Sequence, residues 1–127
     1  MKNIKKFLIL GFHSANIVLI IFYLYPGSIF GYFVYGDSSI QPQLTRDFIV
    51  SSNHLYVFII LSFLGIVAYQ KTQNINFVII YLFSSSIILE LFHLIIPNRG
   101  FELSDLFGNI LGVIFIIIIY RVKNKYA

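Results

Sequence analysis

The chain has 127 residues, of which 58% are hydrophobic, 18% aromatic and 11% charged, and its mean hydropathy is +0.86. Soluble domains carry about 25% charged and about 45–50% apolar residues, so this composition excludes an ordinary soluble domain and a disordered tail and marks an integral membrane protein. The net charge of +4 is not a nucleic-acid signal here, because its placement relative to the membrane is what matters, and the absence of cysteine excludes disulfides and thiol nucleophiles. One helical crossing needs about 20 apolar residues, so the length allows roughly four or five crossings at most. That is one membrane domain, residues 1–127, with no room for a soluble catalytic domain.

In chain order, the first predicted span is 7–25, preceded by Lys2, Lys5 and Lys6. A basic end before an apolar run resembles a signal peptide, but Tyr25-Pro26-Gly27-Ser28 offers no small-x-small cleavage site, so an uncleaved helix is expected. The segment 29–35 is apolar and aromatic yet too short to span, and is predicted to lie in the headgroup zone, where tyrosine rings are favoured. Further spans are predicted at 48–69, 75–96 and 103–122. The polar run 70–74 makes one turn between them. Pro97-Asn98-Arg99-Gly100 makes the other, because proline and glycine break the helix. The expected architecture is an all-α, four-helix transmembrane bundle.

Four crossings put both termini on the side of the Lys71 turn. That side carries Lys2, Lys5, Lys6, Lys71, Arg121, Lys123 and Lys125 and no acid, whereas the other side carries Arg46 and Arg99 with Asp37, Asp47, Glu102 and Asp105. Basic residues are retained in the cytoplasm, so both termini are expected to be cytoplasmic.

Glu90 is the remaining acid and falls inside the third span. A carboxylate there costs about 2.5–3.5 kcal/mol on insertion scales and normally faces a partner or a water-filled cavity. The helical rise of 1.5 Å places it about 10 Å below Pro97, with His93 at i+3 on the same face. Asn53 and His54 open the second span. Asp105 opens the fourth, where it or Ser104 can cap and the helix dipole favours a carboxylate, and Asn109 follows one turn below. His54, Glu90, His93, Arg99, Asp105 and Asn109 are thus expected at one extracytoplasmic end. Plainer roles stand beside this reading. An Arg99–Asp105 pair could fix the loop, and Asn53, His13 and Asn16 could serve packing. Gly108 and Gly112 form a small-xxx-small pair suited to close helix contact, whether in the chain, in a homo-oligomer or in a larger membrane complex.

The stretch from Glu90 to Gly112 resembles the VanZ-like family of small bacterial membrane proteins. The matching pattern is Glu90, then Pro97-Asn98-Arg99, then Asp105, Asn109 and Gly112; Asn53-His54 with Tyr56 and Phe58 resembles the family's earlier motif. The likeness covers roughly residues 50–115. Departures are His93, where glutamine is frequent, and Ile116, where glycine is. The resemblance implies an envelope protein of the bacterial cytoplasmic membrane, in a family named for a protein linked to glycopeptide (teicoplanin) resistance.

Taken together, these residues predict an outer pocket that binds, and as an open question modifies, an anionic membrane lipid, lipid-linked or cell-wall-related molecule. Arg99, Asn109 and Asn53 are the candidate ligand-binding residues, since a guanidinium fork suits phosphate or carboxylate. Glu90, His93, His54 and Asp105 are the candidate catalytic residues, as proton carriers. The side chains include zinc-donor types, but Glu-x-x-His on one helix is a weak signal, and no metal, cofactor or nucleic-acid partner is expected. Two other readings belong to different classes: a small proton-coupled exporter working as a dimer, and a non-enzymatic assembly factor binding a partner through the glycine face.

Overall fold

An apolar segment in hydrocarbon has to satisfy its own backbone, and a helix does this within the segment. That requirement overrides the weak helix propensity of the many isoleucines and valines. The computed structural model, which describes residues 1–127, contains five helices and no strand: α1 (Lys2–Leu24), α2 (Ile29–Tyr35), α3 (Ser52–Tyr69), α4 (Ile75–Phe92) and α5 (Leu103–Tyr126). All except α2 are long and apolar enough to cross a membrane. The shortest of those four has 18 residues, and a helix of that length reaches about 27 Å against hydrocarbon about 30 Å thick.

α3 packs on α5, α1 and α4, while α4 also touches α5 and α1. The shared core joins Phe12, Leu19 and Tyr23 of α1 to Phe58 and Leu61 of α3, Leu82 and Leu89 of α4, and Val113 of α5. Outward faces are apolar, with Phe7, Ile60, Phe77 and Phe115 exposed, whereas Ser62, Ser86, Glu90 and Asn109 are wholly buried. Polar groups inside and apolar groups outside is the distribution that a lipid solvent selects.

The α3–α5 contact depends on Gly108 and Gly112. A Cβ on Gly112 would stand 2.7 Å from the Leu55 carbonyl oxygen and 2.9 Å from Phe58 Cβ, and one on Gly108 would stand 2.8 Å from the Ser51 carbonyl oxygen. The small-residue face is therefore covered by α3 within the same chain. Of the roles open to this pair, the close contact within the chain is the one present. His13 and Asn16 serve packing as expected, bonded to the Tyr69 hydroxyl at 2.9 Å and the Tyr81 hydroxyl at 2.7 Å.

The helix limits differ from the expected spans for local reasons. α1 begins at Lys2, not at residue 7. The segment 29–35, expected as an interfacial stretch, is a two-turn helix in which the Ser28 hydroxyl accepts from Gly31 N–H and Gly36 closes the end at φ 68°. α3 starts at Ser52 and not at 48, because the Asp47 carboxylate accepts the Ser52 N–H at 2.9 Å and ends the loop there. α4 stops at Phe92 and not at 96, since His93, Leu94 and Ile95 bond back three residues ahead of Pro97, a tightening typical of helix ends. α5 runs on to Tyr126, beyond 122. Its N-cap is Glu102 without a side-chain cap bond, so neither Ser104 nor Asp105 caps it; Asp105 sits in the first turn.

Candidate functional site

The early end of α4 puts Glu90 in the last turn of that helix, nearer its end than the sequence estimate placed it. Glu90 is fully buried, and His93 just after the helix is 3% exposed. His93 Nε2 lies 3.0 Å from the Tyr23 carbonyl oxygen, which can only accept, so this nitrogen carries a proton. Its Nδ1 faces Glu90 Oε1 at 3.2 Å. The Glu102 backbone N–H also donates to Oε1, at 3.3 Å, while Glu90 Oε2 has no hydrogen-bond partner in the chain.

His54 is held in a second set of bonds. The Asn109 amide donates to the Ser86 carbonyl oxygen at 3.1 Å, which turns its Oδ1 inward. Oδ1 accepts the Tyr23 hydroxyl at 2.6 Å and lies 3.0 Å from His54 Nδ1. The Tyr23 proton being committed there, the hydroxyl oxygen 2.9 Å from Nδ1 acts as an acceptor too. Both neighbours thus place a proton on Nδ1 and leave Nε2 to face Asp105 Oδ2 at 3.4 Å. Glu90 Oε2 stands 3.8 Å from the same ring. Tyr23 joins the two histidines, since its ring also stacks on His93 with centroids 5.5 Å apart.

All six residues expected at one end are there, but Arg99 and Asn109, and Asn53 beside them, have contacts other than those foreseen. Arg99 does not pair with Asp105. Its Nε and one terminal nitrogen donate to the carbonyls of Tyr25 (3.1 Å) and Phe22 (2.6 Å), closing the C-terminus of α1, as cations commonly do. Its half-burial pulls the guanidinium pKa below its ordinary value, against the opposing fields of Tyr23, Glu90 and Asp105. Asn53, expected to bind ligand, bonds Leu44 N–H and the Pro42 carbonyl instead and so ties down the loop before α3. Asn109, also expected as a ligand residue, is fully buried and orients His54.

Tyr23, Asn53, His54, His93, Arg99 and Asp105 line a cavity of about 350 Å³ between α1, α3, α5 and the loops at that end, a size within the range of small-ligand sites. Asp47, Glu102 and Asp105 line it together with Arg99. His54, Glu90 and Asp105 bring one possible ligand atom each to within 4.8 Å of one another. The sequence reading missed Tyr23, whose only signal was a phenol near a helix end, the place where tyrosines also mark the membrane interface. No protein-family model, no curated protein and no solved structure matches the chain, so the chemistry of the site rests on its own geometry.

Proposed function

We propose that this is a multi-pass protein of a bacterial cytoplasmic membrane that binds the headgroup of an anionic lipid, lipid-linked or cell-wall-related molecule in the cavity at its outer end. The single observation that carries this reading is the position of the cavity. It lies at one end of the four long apolar helices, and a half-buried arginine and two histidines border it. Arg99 commits two of its N–H groups to α1, which leaves donors of the fork for a phosphate or carboxylate oxygen. The excess of basic residues on the side of the Lys71 turn supports cytoplasmic termini and hence an outward-facing cavity. A VanZ-like identity, with its association with glycopeptide resistance, rests on the Glu90-to-Gly112 pattern alone. Catalysis by Glu90, His93, His54 or Asp105 is a further step that binding does not require.

The test is retention of lipid by detergent-purified protein in native mass spectrometry, with phosphatidylglycerol and a polyprenyl phosphate compared with phosphatidylcholine. The anionic lipids are expected to be retained preferentially, and Arg99→Ala to weaken them about tenfold or more, the size of a lost charge-assisted hydrogen bond. Arg99→Lys keeps the charge and is expected to fall between. Equal retention of phosphatidylcholine would overturn the reading.

A further inference from the structure

The acids present a difficulty that leads further. An anionic headgroup would enter a cavity where Asp47, Glu102 and Asp105 outnumber Arg99, with the buried Glu90 carboxyl beside it. A bound divalent cation would cancel most of that excess.

We propose that His54, Glu90 and Asp105 form a binding site for a divalent transition-metal ion of the zinc or manganese class. The donors come from α3, α4 and α5, so the site exists only in the folded bundle. A four-coordinate ion bound at about 2.0–2.2 Å holds its ligand atoms about 3.3–3.6 Å apart. His54 Nε2 and Asp105 Oδ2 already stand at 3.4 Å. The largest separation in the trio is within 4.8 Å, so closing onto an ion requires the Glu90 carboxyl to move toward His54 Nε2 and Asp105 Oδ2 by about 1 Å.

The second, independent observation is Glu90 Oε2. It is fully buried and lacks any hydrogen-bond partner in the chain, and it stands beside the His54 ring, 3.8 Å from Nδ1. A buried polar atom left unpaired costs about 1–3 kcal/mol, more for a charged group, and a cation would satisfy it. The surrounding bonds hold each donor as a metal requires. His54 Nδ1–H is taken up by Asn109 Oδ1, which leaves Nε2 as the ligand atom. Glu90 Oε1 is held by Glu102 N–H and His93, leaving Oε2 free. Such supporting bonds set the tautomer and orientation of metal ligands. Two carboxylates and a neutral imidazole carry the charge that a divalent ion neutralises, and a mixed nitrogen and oxygen set suits zinc and its first-row neighbours. His54 and Asp105 are 17% and 18% exposed, so the ion would be reached from the cavity and would keep an open position toward it for a water or a headgroup oxygen.

The experiment is equilibrium dialysis of tag-free, chelator-stripped protein in detergent against zinc or cobalt(II) alone. The readouts are metal analysis, the cobalt visible spectrum, and carbethoxylation of His54 followed by mass spectrometry. The expected result is one ion per chain, a four-coordinate cobalt spectrum, and protection of His54 by zinc. Asp105→Asn and His54→Gln are expected to weaken binding by about tenfold or more, while Lys71→Ala, in the turn between α3 and α4, leaves it unchanged. No ion above the detergent blank, no protection of His54, or unchanged binding by helical Asp105→Asn protein would overturn the site. If the variants do not fold, the protection of His54 in the unaltered protein decides. No lipid is present in this measurement, and lipid retention can be repeated in chelator, so either proposal can fail without the other.

Discussion

Glu90 shows how one residue can be conspicuous in the sequence while its contacts are not. An acid in an apolar run is visible at once, because nothing about helix formation asks for it. Its partners are not visible: His93 at i+3 is local, but Glu102 N–H lies across a loop, and Arg99 reaches backbone carbonyls of α1, which every residue possesses. These contacts make a contrast between two substitutions informative. Glu90→Gln keeps the shape and removes the charge of a carboxyl with one unpaired oxygen, so the thermal midpoint in detergent is expected to hold or rise, as at sites kept at a cost to stability. Glu90→Leu leaves His93 Nδ1 and Glu102 N–H without a partner and is expected to destabilise by about 1–3 kcal/mol. If glutamine proves as damaging as leucine, the charge itself ties the helices together and Glu90 is a structural group. Tyr23 is the opposite case. It is one of nine tyrosines, and only its bonds to His54 and Asn109 and its stacking on His93 separate it from the rest.

At the scale of elements, hydropathy located the four long helices, while capping and turn chemistry decided where they end. Asp47 sets the start of α3, and the bonds from His93 to Ile95 set the end of α4. The four residues by which α4 falls short of its predicted end bring Glu90 to a helix terminus and fold His93 inward onto Tyr23. Glycine roles are also decided between elements, since the same residue can be indispensable or idle. A Cβ at Gly112 meets α3 backbone, whereas one at Gly11 in α1 meets nothing within 4 Å. Gly112→Ala is therefore expected to destabilise by about 1–3 kcal/mol, as overpacking does. Gly11→Ala is expected to be neutral or to stabilise by up to about 1 kcal/mol through helix propensity. Thermal midpoints of the two variants side by side check this. Equal effects would mean that α3 and α5 are not in the close contact described.

For the whole molecule, the absence of cysteine makes the direction in which the bundle faces directly measurable. Single cysteines introduced at Lys71 and Lys125 are expected to resist a membrane-impermeant thiol reagent in intact cells, whereas cysteines at Ser39 and Gly100 are expected to react. The reverse pattern would put the cavity on the cytoplasmic side and remove the envelope reading while leaving the metal site untouched. The sequence by itself determined the membrane class, the number of long helices and the end at which polar residues collect, because transfer into hydrocarbon depends on the summed hydropathy of contiguous residues. Only the tertiary structure decided which of those polar residues face the cavity and which secure the frame. Hydrogen bonds of about 3 Å join Tyr23 of α1, His54 of α3, Ser86 of α4 and Asn109 of α5, residues up to 86 positions apart. Such contacts depend on how ridges and small residues let the helices approach, and no local pattern encodes that.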